Sequence, residues 1–195
     1  MLQAEKTEIT RNKILKVAIA IFGEKGYDET SVQEIADAAG YSVGSVYRQW
    51  KNKQQLFINA WNAYVSEYIS EDIELMPAEP TIDEMLDFLL ERSEQFASNK
   101  YTSNLYPSSG MAPTIEDAGE MNKWAEEFQN MIYNFLKNIY PDADEKRLRT
   151  VAGVMHGVLN ADAVNVSNLV VPQYHFDRAA FRDCLKAIIR TCELE

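Results

Sequence analysis

Between Thr30 and Lys53 the chain gathers side chains better suited to holding nucleic acid than to breaking bonds. They are the hydroxyls of Thr30, Ser31, Ser42 and Ser45, the phenols of Tyr41 and Tyr47, the amide of Gln49, and the cations Arg48 and Lys53. Hydroxyl and phenol groups bond to phosphate oxygens, serine accepts several base partners, and Arg and Lys neutralise phosphate charge. Val43 and Gly44 lie among them, and glycine leaves the backbone room to approach a base edge or a phosphate. Nothing comparable points to catalysis. There is no glycine-rich phosphate loop, nucleophile elbow or Cys/His pair at suggestive spacing. His156 and His175 are the only histidines, so neither a metal cluster nor a cofactor is expected.

The spacing predicts two short helices joined by a tight turn as the scaffold for these groups. The first opens at Thr30-Ser31, where Ser31 and Glu34 form an S-x-x-E capping box, and places Val32, Ile35, Ala36 and Ala39 on one face. Gly40 can take positive φ just past the helix end, and Ser42 can cap the next helix. That helix, from about Val43 to Trp50, turns Val46 and Trp50 inward and leaves Val43, Gly44, Ser45, Tyr47 and Arg48 outside. Asn52-Lys53-Gln54-Gln55 reads as a further N-cap with Lys53 in the first turn, where a phosphate would meet a helix N-terminus and an ammonium together. A supporting helix from about Thr10 to Glu24 carries Ile14, Val17, Ala18, Ile21 and Phe22 on one stripe. Gly23 and Gly26 end it before Tyr27, which packs under the motif.

The run F-x-x-x-G-Y-x-x-T-S-V-x-x-I-A-x-x-A-G-x-S-x-G-S-V-Y followed by K-x-K-x-x-L-F, within about Thr10 to Phe57, resembles the N-terminal domain of the TetR family of transcriptional regulators. Two departures stand out. Tyr41 occupies a position where the family more often has a small aliphatic residue, and Gln49-Trp50 replaces its usual histidine and phenylalanine. The resemblance implies an all-α chain, with a DNA-binding helix-turn-helix domain over 1–51 and a ligand-binding and dimerisation domain over 52–195. It also implies dimerisation through the last two long helices.

Each of these residues has a plainer reading. Thr30, Ser31 and Ser42 could simply cap helices, Tyr47 could pack on the surface, and Arg48 and Lys53 could be solvated charges. Joint placement in one motif favours the DNA reading.

A length of 195 residues allows a small domain attached to a larger one, and 46% hydrophobic with 25% charged residues fits a soluble globular protein. No apolar run is long enough to span a membrane, and Met1 to Thr10 lacks a signal-peptide core, so the cytoplasm is the expected compartment. Cys184 and Cys192, eight residues apart, cannot pair along one straight helix and read as buried small hydrophobes, with redox sensing a remote alternative. A net charge of −11 opposes DNA binding by charge alone. Residues 1–56 hold eight Lys/Arg against seven Asp/Glu, a balance of +1, which leaves −12 for the remainder. The acidity therefore belongs to the second part, and DNA binding must depend on locally placed cations, helix N-termini and two copies acting together.

Beyond the motif the chain reads as further helices, about nine in all. A long one spans Asn52 to about Leu75, and a T-x-x-E box at Thr81–Glu84 opens another to about Ser98. Lys100 to Pro113 is Ser/Pro/Gly/Tyr-rich with one helical turn at most. Helices then run from Thr114 to about Tyr140, from a D-x-x-E start at Asp142 to about Val170, and from about Phe176 to Cys192. The Asp142–Val170 helix is apolar on two sides. Leu148, Val151, Ala152, Met155, Leu159 and Val166 share one face; Gly153, Val154, Gly157, Val158, Ala161 and Asn165 share the other. The second, smaller face joins Phe181, Leu185 and Ile188 as the expected homodimer interface, the plainer reading being a helix buried within one subunit. Candidate ligand-binding residues are Trp61, Tyr64, Phe88, Tyr106, Trp124, Phe128, Met155, Leu159 and Asp162, which would suit a partly apolar or aromatic effector, although aromatics at helical spacing are mostly core. Asp162 either reaches solvent or is a buried acid that requires a cationic or hydroxylated ligand or an internal Arg. His156 and Asn160, four apart, could line a pocket, but a satisfied core or interface histidine is the commoner case.

The reading is a ligand-responsive, non-enzymatic DNA-binding regulator, a repressor released from a palindromic operator by a small molecule. The rivals are a helical small-molecule-binding protein or an enzyme without DNA binding.

Overall fold

Helix ends leave backbone groups unanswered, and in this chain the short polar residues that answer them mark where the elements begin. The computed structural model describes residues 3–109, 123–166 and 177–193. Among these residues are nine α-helices, one 3-10 turn and no strand: α1 (Gln3–Lys25), α2 (Val32–Ala39), α3 (Val43–Tyr47), α4 (Lys53–Leu75), α5 (Ile82–Ser98), α6 (Lys100–Ser109), α7 (Lys123–Ile139), α8 (Glu145–Val166), α9 (Arg178–Arg190) and the turn Thr191–Glu193. No helix among the described residues is long and apolar enough to cross a membrane.

Several boundaries differ from the sequence expectation. α1 begins at Gln3 rather than Thr10 because Gln, Ala, Glu and Lys extend a helix readily. α3 stops at Tyr47, although the Trp50 N–H still bonds to the Val46 carbonyl at 3.0 Å. The cap of α8 is Asp144, whose Oδ1 accepts the Arg147 N–H at 2.9 Å, and not Asp142. Thr81 and Glu84 do form the reciprocal box expected of them, and the Thr81 backbone N–H holds the Glu84 carboxyl below its usual range. The largest departure is α6, a ten-residue helix where one turn at most was expected. Its Ser, Pro and Tyr content argues against a helix, but docking on α1 decides the matter, since packing routinely overrides propensity. Asn104 Nδ2 donates to the Gly23 and Glu24 carbonyls at 2.6 and 3.2 Å, Lys100 pairs with Glu24, and Leu105 is buried. Positions 114–122 and 167–170, expected to be helical, lie outside the described residues.

The chain divides into two compact units, residues 1–66 with 100–123 and residues 67–99 with 124–195, a different division from 1–51 and 52–195. In the first unit α1 packs on α2 and α6. Phe22, Tyr27 and Phe57 meet in a ring cluster with centroids 5.1 to 6.0 Å apart, which packs Tyr27 against α1 and α4. At Gly23 the Tyr101 ring lies against the helix backbone.

In the second unit α5 packs on α8 and α9 around Met85, Leu86, Leu148, Met155, Leu185 and Ile189. Two carboxylates are buried there, each against an arginine. Arg92 Nε bonds to Asp72, where burial still leaves the carboxyl above its usual range. Arg178 grips Asp162 with Nε to Oδ1 at 3.2 Å and Nη2 to Oδ2 at 2.9 Å, and also donates to Glu94 and to the Leu90 carbonyl.

Alanine in a helix normally gains about 1 kcal/mol over glycine. At Gly23 a Cβ would stand 2.6 Å from Tyr101 Cγ and Cδ1 and 3.0 Å from its Cβ, atoms too near the α6 backbone to swing aside. Overpacking of this kind costs about 1–3 kcal/mol. Gly23→Ala is therefore expected to lower stability in urea titration; a variant as stable as the parent would show that the seam between α1 and α6 yields.

Removing the partner of a buried carboxylate costs about 3–5 kcal/mol. Because the Arg178 side chain is 30% exposed, Arg178→Met is expected near the low end of that range. The double variant Asp162→Asn/Arg178→Met should lose less than the sum of the two single changes, and strict additivity would refute the coupling.

Candidate nucleic-acid interface

The motif is built from local bonds outward. Ser31 Oγ accepts the Glu34 N–H at 3.1 Å to open α2, whose Val32, Ile35, Ala36 and Ala39 are all buried. The expected capping box is only half formed, because Glu34 turns its carboxylate to Lys25 instead. Gly40 closes the helix at φ 76°, ψ 33°, a left-handed conformation that suits glycine. Gly40 and Tyr41 return their N–H groups to Asp37 and Ala36. Ser42 then caps α3 through the Ser45 N–H at 3.2 Å.

Val46 and Trp50, each 1% exposed, anchor α3 to the first unit. Tyr47 (49% exposed), Gly44 and Arg48 face outward, while Val43, Ser45 and Gln49 are half-buried. Arg48 Nη2 donates to Ser45 Oγ at 2.8 Å, and Ser45 Oγ lies 3.0 Å from Ser42 Oγ. Tyr41 leans on α1, with the Lys13 ammonium 5.3 Å from its ring centre. The Trp50 indole N–H is buried without a hydrogen-bond partner among the described residues, while the Arg11 guanidinium sits 4.9 Å over its ring and bonds to Asn59.

Two expected contact residues are otherwise engaged. Thr30 is buried and its hydroxyl donates to the Gly26 carbonyl at 2.7 Å, so it braces the loop after α1 and does not face outward. Lys53 stands in the first turn of α4 as expected, but its ammonium lies 4.3 Å from the Tyr27 ring centre and 3.5 Å from the Asp28 carbonyl. Asn52 caps that helix, accepting the Gln55 N–H at 2.8 Å. Sequence reading missed the roles of Arg11 and Lys13, because their ring partners lie far along the chain.

The ligand-binding candidates do not form one group. Trp61 and Tyr64 are buried in the first unit, and the Tyr64 hydroxyl lies 2.9 Å from Thr102 Oγ1. In the second unit Trp124 and Phe128 meet the His156 ring edge-on at 5.2 and 5.5 Å, and Phe88 is half-buried. The His156 nitrogens each lie 3.0 Å from an amide, those of Gln129 and Asn160, and burial lowers its pKa. Met155 and Leu159 are core residues, and the Tyr106 side chain lies outside the described residues. Asp162 is corrected: the internal Arg178 satisfies it, leaving no unmet demand for a ligand. A surface concavity of about 590 Å³ is lined by Asp144, Glu145, Lys146, Arg149 and Thr150, none of them a candidate.

α8 shows two unlike faces. Leu148, Val151, Ala152, Met155 and Leu159 are buried, whereas Val154 is 45% exposed, Gly157 and Ala161 are exposed, and Gly153 and Val158 are half-buried. Phe181 and Ile188 on α9 are also half-buried. Leu185 is corrected: it is fully buried by its own chain and cannot reach a partner. Cys184 is exposed and only Cys192 is buried, against the expectation for both.

Residues 14–60 match the family model described as bacterial regulatory proteins, tetR family. The chain is 24% identical over 181 residues to the uncharacterized HTH-type transcriptional regulator YerO of Bacillus subtilis, covering 83% of this chain and 62% of that one. It is 40% identical over 57 residues to the HTH-type transcriptional regulator AcrR of Shigella flexneri, covering 29% and 26%. The matched stretches thus span less than two thirds of these relatives' lengths. The crystal structure of the transcriptional regulator FadR from Bacillus subtilis in complex with stearoyl-CoA shares the fold, with a TM-score of 0.63 at 17% identity over 92% of this chain and 96% of that one. The matched stretch contains the capped α2, the glycine turn and the outward α3, and over these residues the chain is similar to the tetR family of bacterial regulatory proteins.

Proposed function

We propose that this protein is a ligand-responsive transcriptional regulator, a repressor without enzymatic activity. It works in the cytoplasm as a homodimer, and a small molecule releases it from a palindromic operator. The observation that carries this is the outward arc of α3, where Ser45, Tyr47 and Arg48 face away from a fully buried Val46–Trp50 anchor. No ion pair among the described residues neutralises Arg48, Lys13 or Lys51. Functionally, 1–51 reads DNA and 52–195 binds effector and partner. Ser31, Tyr41, Ser42, Val43, Gly44, Gln49 and Lys53 flank the arc, where they cap, pack or reach backbone phosphates.

Two copies would place their α3 helices in successive major grooves roughly 34 Å apart. The outward face of α8 (Gly153, Val154, Gly157, Val158, Ala161) with Phe181 and Ile188 is the proposed seam, since small residues allow helices to approach closely. The effector is partly apolar or aromatic, and its candidate contacts are Trp61 and Tyr64 within the first unit or Phe88, Trp124 and Phe128 within the second; the stearoyl-CoA held by a protein of the same fold supports an apolar portion. Release requires that the effector bind better to the spacing that does not fit DNA.

Selection from a random DNA pool at fixed salt tests the reading: a palindromic consensus is expected, and no enrichment by a folded, ligand-stripped dimer would refute it. On the selected operator, Tyr47→Ala should weaken binding about tenfold, equivalent to about 1.4 kcal/mol. Its thermal unfolding should not change, because the ring is exposed; unaltered affinity would remove Tyr47 from the interface.

Among the described residues nothing lies within 4 Å of a Cβ placed on Gly157, so Gly157→Leu should fold as well as the parent. If the α8 face is the seam, the same change will shift sedimentation from dimer to monomer. A variant that remains dimeric would place the seam elsewhere.

A further inference from the structure

The geometry points to Arg48, positioned by Ser45, as the reader of a guanine in each half of the DNA target, an inference that rests on the DNA-binding reading above. Ser45 and Arg48 are three residues apart and share the outward arc of α3, opposite Val46 and Trp50. Arg48 Nη2 donates to Ser45 Oγ at 2.8 Å, Ser45 Oγ is 3.0 Å from Ser42 Oγ, and Ser42 Oγ accepts the Ser45 backbone N–H at 3.2 Å.

Counting hydrogens shows what this chain of bonds presents outward. One of the two hydroxyl hydrogens lies between the serine oxygens, and the other is left over. If Ser42 donates, the spare hydrogen is on Ser45, whose lone pairs are taken by Ser42 and Arg48. If Ser45 donates, the spare hydrogen is on Ser42, whose lone pairs are taken by the Ser45 N–H and O–H, and one lone pair remains on Ser45. In both arrangements the outer edge offers a hydroxyl donor and the remaining N–H groups of the guanidinium fork, with at most one acceptor.

An edge made of donors selects a base edge made of acceptors. In the major groove guanine presents O6 and N7, both acceptors, at a spacing the guanidinium can bridge. Adenine sets an amino donor beside N7, cytosine presents an amino donor, and thymine sets a methyl group beside O4. The bond to Ser45 also restricts a long side chain before DNA arrives, which lowers the ordering cost of the contact. Arg48 supplies the base contact; Ser45 acts through it.

The test begins with the consensus selected by the parent protein. It is expected to hold a guanine at one equivalent position in both half-sites. Replacing that guanine with 7-deazaguanine, which lacks the N7 acceptor but keeps its base pair, should weaken the parent about tenfold or more. Arg48→Ala should bind the two duplexes equally and lose preference at that position alone. Ser45→Ala should discriminate less at that guanine than the parent does while keeping its preferences at the other consensus positions, a change that loss of a structural contact would not confine to one base pair. Circular dichroism of both variants should match the parent, since Arg48 is exposed and Ser45 is no part of the buried core. An Arg48→Ala protein that selects the unchanged consensus, guanines included, overturns the assignment while leaving the DNA-binding reading intact. Failure of the parent to enrich any sequence overturns that reading and this inference with it.

Discussion

A helix of five residues has no stability of its own, because the first turn fixes several dihedral angles for a single hydrogen bond. α3 is that short, so its existence depends on what holds it from outside. Ser42 supplies the cap, Gly40 sets the entry angle, and Val46 and Trp50 bury the inner side almost completely. Trp50 in turn lies under the Arg11 guanidinium, which bonds to Asn59, so one side chain joins α1, the end of α3 and α4. With anchoring confined to two residues, the other side chains of α3 are spared core duty. That division of labour is what makes an outward, chemically varied arc possible on so little backbone.

Charge is deployed in opposite ways in the two units. In the second, arginine and lysine brace helices: Arg92 on Asp72, Arg178 on Asp162 and Glu94, Arg182 on Asp83 and Asp87, and Lys186 on Asp83. Exposed pairs of this kind each contribute little, but the fully buried Asp162 makes its arginine indispensable, since an unpaired carboxylate there has no water to turn to. In the first unit Lys25 and Lys100 are neutralised by Glu34 and Glu24 away from α3, while no ion pair among the described residues uses Arg48, Lys13 or Lys51. A near-neutral domain can therefore still present local positive charge where a helix would enter a groove, and the +1 balance of residues 1–56 understates it.

What the sequence made legible was local. The α2–turn–α3 core and the box at Thr81–Glu84 follow from periodicity and caps within a few residues, and the structure keeps them. What it hid depends on partners far along the chain. α6 reads as a loop by composition and becomes a helix because Asn104, Lys100 and Leu105 dock on α1. Asp162 could not be assigned because its answer, Arg178, lies sixteen residues away on another helix. Thr30 looked like a phosphate ligand, yet a carbonyl four residues earlier claims its hydroxyl. Leu185 and Cys184 exchanged their expected places because helical spacing gives a period but not the direction of the core, and one residue of rotation turns a side chain by 100°.

The two faces of α8 differ in size as well as exposure, and the difference bears on the proposal that two copies bind DNA together. Leu148, Met155 and Leu159 fill the chain's own core, while Gly153, Gly157 and Ala161 offer a shallow surface that one copy leaves in water. A two-fold pairing would cover this surface on both copies at once, because an isologous interface uses the same patch twice. In a dimer joined that way the second α3 would meet DNA as an intramolecular event, and its contacts would add to the first without a second loss of translational freedom. A domain with modest positive charge then needs few phosphate contacts per copy. The same arrangement would make the proposed release easy to control: when affinity depends on two sites engaging together, a small change in their separation removes the joint benefit without touching any residue of the α3 arc.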